Sequence, residues 1–178
     1  MNTLVVWITG LPGSGKSTVA DGIKKDFPDF VVLRMDKLRE IVTPEPSYSD
    51  SERDMVYRAI VYMAKTLSDL GHKVIIDATG NMRKWREYAR QLIPGFAEIY
   101  LECPLDICTG REASRKDTRG APRDIYKKGG EGWPVPGVQA PYEAPLNPEL
   151  VIDAGRMPLE EILPLIHKFI EQRSKAPQ

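Results

Sequence analysis

Residues 10–17 read Gly10-Leu11-Pro12-Gly13-Ser14-Gly15-Lys16-Ser17, which matches the pattern G-x-x-x-x-G-K-[ST] in full. An apolar run at residues 4–8 precedes this stretch and reads as a buried strand, and residues 18–25 follow it and read as a helix. The glycines let backbone N–H groups turn inward around phosphate oxygens, and a helix N-terminus adds partial positive charge. The stretch therefore predicts a nucleoside triphosphate site, the alternative being a glycine-rich turn that matches by chance.

The last two residues of the motif have specific expected roles. Lys16 is expected to reach the β- and γ-phosphates, and the Ser17 hydroxyl is expected to hold Mg²⁺. The motif predicts what is bound but not which group receives the phosphoryl.

Composition indicates one domain with balanced charge. The 178 residues include 25 Lys plus Arg and 25 Asp plus Glu, so the net charge is zero. This balance argues against a whole-surface affinity for nucleic acid or anionic membrane. No apolar stretch is long enough to span a bilayer and no signal peptide is recognisable, so we expect a cytoplasmic protein. Cys103 and Cys108 are expected to be reduced and in or near the core.

Apolar runs that read as strands alternate with segments that read as helices. The expected strands cover residues 4–9, 30–33, 73–77, 97–102 and 150–153. The expected helices cover residues 16–26, 37–41, 50–70, 83–92, 105–115 and 159–173. The strands are rich in Val and Ile without polar alternation, as in parallel strands covered on both faces. The chain is therefore predicted to be a single α/β domain (residues 1–178), a three-layer sandwich around a five-stranded parallel sheet.

Within the long helix, one stripe of residues at helical spacing is expected to face the core. Its members are Met55, Ala59, Tyr62, Met63, Thr66, Leu67 and Leu70.

The region at residues 114–148 breaks the alternation. It has no clean periodicity and is rich in Gly and Pro. Its cations are Arg115, Lys116, Arg119, Arg123, Lys127 and Lys128. A long insert of this kind is usually a functional lid or a disordered linker, and the cations favour a lid over anionic ligands.

Asp36 follows the second expected strand and is the candidate catalytic carboxylate. In this position it could accept the proton of an attacking hydroxyl, orient that hydroxyl or help to hold the metal. The alternative is that Asp36 only caps the helix expected to start at Lys37. Arg39, one helical turn further on, could reach an anionic group on the acceptor.

Asp77 ends the third expected strand and is a second candidate for the metal shell. Helix capping by Asp77 or Thr79 is the alternative. Arg53 and Arg58 lie on the long helix and either face an acceptor phosphate or are ordinary surface arginines.

Segments spread in order over almost the whole chain resemble the adenylylsulfate kinase (APS kinase) family of P-loop kinases. They are residues 7–18, Asp36-x-x-Arg39, residues 48–53, residues 102–108 with Arg111, residues 125–128 and residues 141–150. The Tyr-Lys-Lys of residues 126–128 and the Pro-Tyr-Glu-Ala-Pro-x-Asn-Pro-Glu of residues 141–149 are the most specific parts, because a generic phosphate-loop kinase has no need of them.

The resemblance implies transfer of the γ-phosphoryl group of ATP to the 3′-hydroxyl of adenosine 5′-phosphosulfate (APS), the PAPS-forming step of sulfate assimilation. It implies a P-loop nucleotide-kinase fold with a lid, catalytic roles for Lys16 and Asp36, and a nucleotide acceptor rather than nucleic acid, with a homodimer left open. The residues expected to bind ATP are Gly10, Leu11, Pro12, Gly13, Ser14, Gly15, Lys16, Ser17, Thr18 and Arg111. Those expected to bind the acceptor are Asp36, Arg39, Tyr48, Arg53, Arg58, Lys127 and Lys128. Those expected at Mg²⁺ are Ser17, with Asp36 and Asp77 as further candidates.

The departures from the family pattern fall in the acceptor half. Arg34-Met35-Asp36 stands for the family's Asp-Gly-Asp, Val56 for its Asn, and residues 77–81 for its Phe-Ile-Ser-Pro segment. Residues 74–79 also resemble polynucleotide 5′-kinases and related small-molecule hydroxyl kinases. Two alternatives therefore stay open: a divergent kinase acting on another nucleotide, a polynucleotide 5′-end or a small-molecule hydroxyl, and an ATP-binding regulatory protein without turnover.

Overall fold

The centre of the molecule is one parallel sheet. The computed structural model describes residues 3–116, 122–131 and 133–175. The sheet has the strand order β2-β3-β1-β4-β5. The strands are β1 (Val5–Thr9), β2 (Phe30–Arg34), β3 (Lys73–Asp77), β4 (Phe96–Glu102) and β5 (Leu150–Asp153). The helices are α1 (Lys16–Asp26), α2 (Met35–Val42), α3 (Asp50–Asp69), α4 (Arg83–Leu92), α5 (Leu105–Ala113), α6 (Ile125–Gly130) and α7 (Leu159–Lys175).

Each face of the sheet carries its own apolar core. Val6 and Ile8 of β1 point to one face, where they pack with residues of α1 and α7. Val5 and Trp7 point to the other face, where they pack with residues of α3 and α4. This alternation follows from the two-residue repeat of a strand, and it confirms the predicted three-layer sandwich.

The core face of α3 differs from the predicted one. Met55 and Tyr62 are mostly exposed, and Met63 and Leu70 are exposed as well. The buried face is formed instead by Arg53, Val56, Tyr57, Ile60, Val61, Ala64 and Ser68. The helix carries apolar residues on both faces, so spacing alone fits either stripe. The predicted stripe was wrong except at Leu67, which is partly buried against the core, because the sheet selects the β-branched stripe.

The lid also differs from the sequence expectation. Its described residues include a short helix, α6, where no regular structure was expected, and Val135 is buried. Residues 117–121, which include the lid cation Arg119, and residue 132 lie outside the described residues. The two cysteines are free and buried, as predicted.

Strand register brings three predicted site segments to the same edge. Asp77 is in register with Arg34 of β2 and with Ile8 of β1. Parallel strands end at one edge, so the segments that follow β1, β2 and β3 meet there. In the described part of the chain, no helix combines the length and apolar character that crossing a membrane requires.

Candidate active site

A cavity of about 450 Å³ lies at this edge. Its walls come from distant regions of the chain: the glycine-rich loop at residues 12–18, the start of α2, Tyr48 with the start of α3, residues 77–81, the end of α5 and the lid. Most of the predicted site residues therefore share one space, although they come from distant parts of the sequence.

Backbone geometry shapes the loop wall of the cavity. Gly13 and Gly15 have φ of 83° and 99°, in the left-handed region that side chains disfavour. A Cβ on Gly13 would lie 2.4 Å from the carbonyl oxygen of Cys108, whereas one on Gly15 would meet no atom within 4 Å. Gly13 is thus required for packing on α5, and Gly15 for the turn into α1.

The Lys16 ammonium is held by the loop itself. Its Nζ donates to the carbonyl oxygens of Gly10 at 3.0 Å and Leu11 at 2.9 Å. Burial lowers the pKa of Lys16, and the nearby carboxylates of Asp77 and Asp36 oppose that shift. The buried ammonium is therefore hydrogen-bonded to two neutral carbonyl oxygens. Charged phosphate oxygens would form stronger hydrogen bonds with it.

Asp36 lies inside the first turn of α2 rather than before it. The helix begins at Met35, so Asp36 does not occupy the capping position that the alternative required. Burial raises the pKa of the Asp36 carboxyl, and the like charge of Asp77 raises it further, while Lys16 opposes. A carboxylate with a raised pKa is a better proton acceptor.

Asp77 is tied to a cation. Its Oδ2 accepts from Arg34 Nη1 at 2.8 Å, and the same guanidinium also pairs with Asp21 of α1. Asp77 and Thr79 do not cap a helix, since α4 begins at Arg83. The Arg34 side chain thus joins the glycine-loop helix to the ends of β2 and β3.

The predicted acceptor arginines fall into two groups. Arg39 and Arg53 line the cavity. Arg39 pairs with Glu52 at 2.8 Å, and Arg53 donates to the carbonyl oxygens of Tyr48 at 3.1 Å and of Pro134 in the lid at 2.5 Å. Arg58 is exposed and lies 5.1 Å from the Tyr88 ring centroid, away from the cavity lining. For Arg58 the geometry supports the alternative, an ordinary surface arginine.

A pair of aromatic side chains lines the cavity near the predicted acceptor arginines. The rings of Tyr48 and Trp133 lie 5.2 Å apart between centroids, tilted by 48°. Arg39 lies over the Tyr48 ring and Lys128 over the Trp133 ring, at 5.2 and 4.8 Å. Sequence reasoning missed Trp133, although a tryptophan in a lid rich in Gly and Pro is a usable signal.

Some of the remaining predicted cations line the cavity and others do not. Arg111 lines it and donates to Cys103 Sγ at 3.6 Å. Lys127 and Lys128 are not part of the described lining. Arg115, predicted only as a lid cation, does line the cavity. The lid also docks on the glycine loop, since Tyr126 donates to the carbonyl oxygen of Pro12 at 2.7 Å.

Comparisons with known proteins point to one family. Residues 2–153 match the family model described as adenylylsulphate kinase. A probable adenylyl-sulfate kinase of Archaeoglobus fulgidus is 35% identical over 160 residues, covering 86% of this chain and 97% of the relative. An adenylyl-sulfate kinase of Bacillus velezensis is 34% identical over 176 residues, covering 94% and 84%.

A solved structure agrees with the sequence relatives. The APS kinase of Mycobacterium tuberculosis, determined in complex with AMPPNP and APS, superposes with a TM-score of 0.81 at 27% identity. The match covers 96% of this chain and 98% of that one.

Proposed function

This chain belongs to the adenylylsulphate kinase family, and from that membership we propose that it transfers the γ-phosphoryl group of ATP to the 3′-hydroxyl of APS. It is a phosphotransferase with an alcohol group as acceptor. The observation that carries the assignment is one cavity that joins Lys16 of the glycine loop to Asp36 and Arg39 of α2.

The residues divide the chemistry between them. The Lys16 ammonium stabilises the negative charge of the transferring phosphoryl group. As the acceptor oxygen forms its bond to the γ-phosphorus and the bond to the β–γ bridging oxygen breaks, the Asp36 carboxylate receives the hydroxyl proton. ADP leaves with the bridging oxygen. Positioning and electrostatics supply most of the acceleration in such transfers.

The donor set at this edge fits magnesium. Ser17, Asp36 and Asp77 offer oxygen ligands, which a hard cation prefers. Within the described residues no group of three or more His, Cys, Asp or Glu could hold a metal, so ATP oxygens would complete the shell. Mg²⁺ bound here would neutralise phosphate charge. Ser17 is its proposed holder. A carboxylate bound directly to the metal would be a poorer proton acceptor, so Asp36 keeps its catalytic role, and Asp77, already paired with Arg34, is the weaker candidate ligand.

The acceptor is proposed to bind on the wall opposite the glycine loop. Arg39 and Arg53 would face its phosphosulfate, and its adenine would lie against Tyr48 and Trp133, which offer flat apolar faces. Lys127 and Lys128 would approach through lid movement.

The decisive experiment is an acceptor panel. ADP release is measured with purified protein and Mg-ATP in the presence of APS, other nucleotides, oligonucleotide 5′-ends and small-molecule alcohols. We expect stimulation by APS, with a 3′-phosphorylated product. Stimulation by another acceptor alone would establish a divergent kinase, and no stimulation by any acceptor would establish a regulatory protein.

Assembly and location remain predictions from the sequence. We propose a homodimer in the cytoplasm. Light scattering of the purified protein would give the mass of the particle, and a monomer mass at assay concentration would contradict the dimer.

A further inference from the structure

The most specific stretch of the sequence has no part in the chemistry described above. This stretch, Pro141–Glu149, is called the strap here, and it covers the C-terminal part of the lid region and the residue after it. It lies against residues 78–82, called the acceptor loop, which connect β3 to α4. Ala78, Thr79 and Asn81 of this loop line the cavity.

Hydrogen bonds join the strap and the acceptor loop, and each segment donates to the other. Asn81 Nδ2 donates to the carbonyl oxygen of Pro141 at 2.9 Å, and the Glu143 amide donates to the carbonyl oxygen of Asn81 at 2.7 Å. The Glu143 carboxylate accepts from the amide of Arg83 at 2.8 Å. That amide is the first of α4 and has no partner within its own helix. The strap thus fixes the end of the loop and the start of the helix together.

Tyr142 reaches the acceptor loop through a relay. The Thr9 hydroxyl donates its proton to the carbonyl oxygen of Thr79 at 2.6 Å. Because that proton is used, the contact of 3.0 Å between Thr9 and Tyr142 has the tyrosine hydroxyl as donor. Tyr142 therefore orients the threonine that holds the middle of the loop.

Arg86 of α4 is bonded to both the acceptor loop and the strap. It is 1% exposed, it donates to the carbonyl oxygens of Gly80 and Glu143, and it pairs with Glu98 at 2.6 Å. A buried guanidinium costs free energy unless its partners are held in place. Two of these partners are backbone carbonyl oxygens, one of the loop and one of the strap, so the Arg86 side chain joins the two segments.

We propose that Tyr142 and Glu143 of the strap, together with Arg86, are positioning residues that hold the acceptor loop in the shape the acceptor requires. Among the described residues, none of these three lines the cavity, so they act through the loop. The inference rests on the proposed function in one respect, namely that this cavity wall binds the acceptor.

The first test removes the tyrosine hydroxyl. Tyr142→Phe is expected to raise KM for APS about fivefold or more, to change KM for ATP by less than about twofold, and to speed amide hydrogen exchange in residues 78–82. Tyr100→Phe is the matched control, because its ring stacks on Tyr142 at 6.2 Å. This control is expected to leave both readouts unchanged.

A second pair of variants tests the carboxylate. Glu143→Ala removes the acceptor of the Arg83 amide, so exchange at residues 83–86 should rise and KM for APS should increase. Glu143→Gln retains an oxygen and should restore both values towards those of the unmodified protein.

Hydrogen exchange separates this inference from the proposed function, because it needs no acceptor. Faster exchange in the loop with no activity towards APS would overturn the proposed function and support the positioning role. Unchanged exchange in Tyr142→Phe and Glu143→Ala would overturn the positioning role, whichever acceptor the enzyme uses. A rise in KM for ATP equal to that for APS would also overturn it.

Discussion

The two walls of the cavity are built in different ways. The donor wall is a single run of nine residues, 10–18, whose shape is set by positive φ at Gly10, Gly13 and Gly15. The acceptor wall combines α2, Tyr48 with the start of α3, the acceptor loop and the lid, and its shape is set by side chains such as Arg53 and Arg86. A wall defined by backbone conformation is local in sequence, whereas a wall defined by side chains depends on the tertiary fold.

The largest effect is expected at the donor wall. Lys16→Ala should lower kcat by about 10³-fold or more, because it removes a preorganised charge from the transferring phosphoryl group. Lys25→Ala, at the exposed end of the same helix, is the control and should retain full turnover. Turnover of Lys16→Ala within tenfold of the unmodified enzyme would contradict the phosphate-loop mechanism.

The second-largest effect is expected at Asp36 and should distinguish the roles of the two walls. Asp36→Asn is expected to lower kcat by about 10²–10³-fold, since it removes the proton acceptor, while leaving the Kd for ATP within about threefold. Glu40→Gln on the same helix is the control, because it changes an exposed carboxylate. Equal losses in kcat and ATP affinity would place Asp36 in the donor wall instead.

The pH dependence of activity tests the environment of Asp36 in the acceptor wall. The active form of Asp36 is the carboxylate, and burial together with Asp77 raises its pKa above the ordinary 3.8. Activity should therefore be full above the raised pKa and fall as the pH drops through it.

Asp77→Asn removes the like charge, so the acid limb of kcat/KM should move to lower pH. Asp21→Asn alters the other partner of Arg34 and should leave the limb in place. An acid limb that moves upward in Asp77→Asn would contradict the predicted interaction of the two carboxyl groups.

The smallest effect tests the boundary of the acceptor wall. Arg58→Ala should change KM for APS by less than about twofold, because Arg58 lies over Tyr88 outside the cavity. Arg39→Ala removes a cation from the lining, and a lost charged hydrogen bond of about 1.5–3 kcal/mol corresponds to about a 10–150-fold higher KM. Similar effects of the two substitutions, measured with APS as the varied substrate, would mean that Arg58 reaches the acceptor.

The donor wall and, apart from α6, the order of strands and helices along the chain could be predicted from the sequence. Both depend on local signals: a motif of fixed spacing, and Val- and Ile-rich runs that form parallel strands. The core face of α3 could not be predicted, since Met55 and Val56 both belong to plausible apolar stripes and only the sheet selects between them. Trp133 and the Arg34–Asp77 pair were missed for a related reason, because their partners are distant in sequence.

The attachment of the acceptor loop has a consequence for how such enzymes diversify. The bonds that hold Ala78, Thr79 and Gly80 in place use their backbone atoms. Trp7, Thr9 and Arg86 donate to the three carbonyl oxygens, and the Gly80 amide donates to the Tyr57 hydroxyl. Substitutions at Thr79 therefore change the chemistry that faces the cavity without removing these backbone bonds, whereas Ala78 is 2% exposed and packs in the core. A side chain of the loop can therefore be exchanged while the backbone of the loop stays in place. Acceptor preference can in this way change during evolution while phosphate binding and folding are preserved.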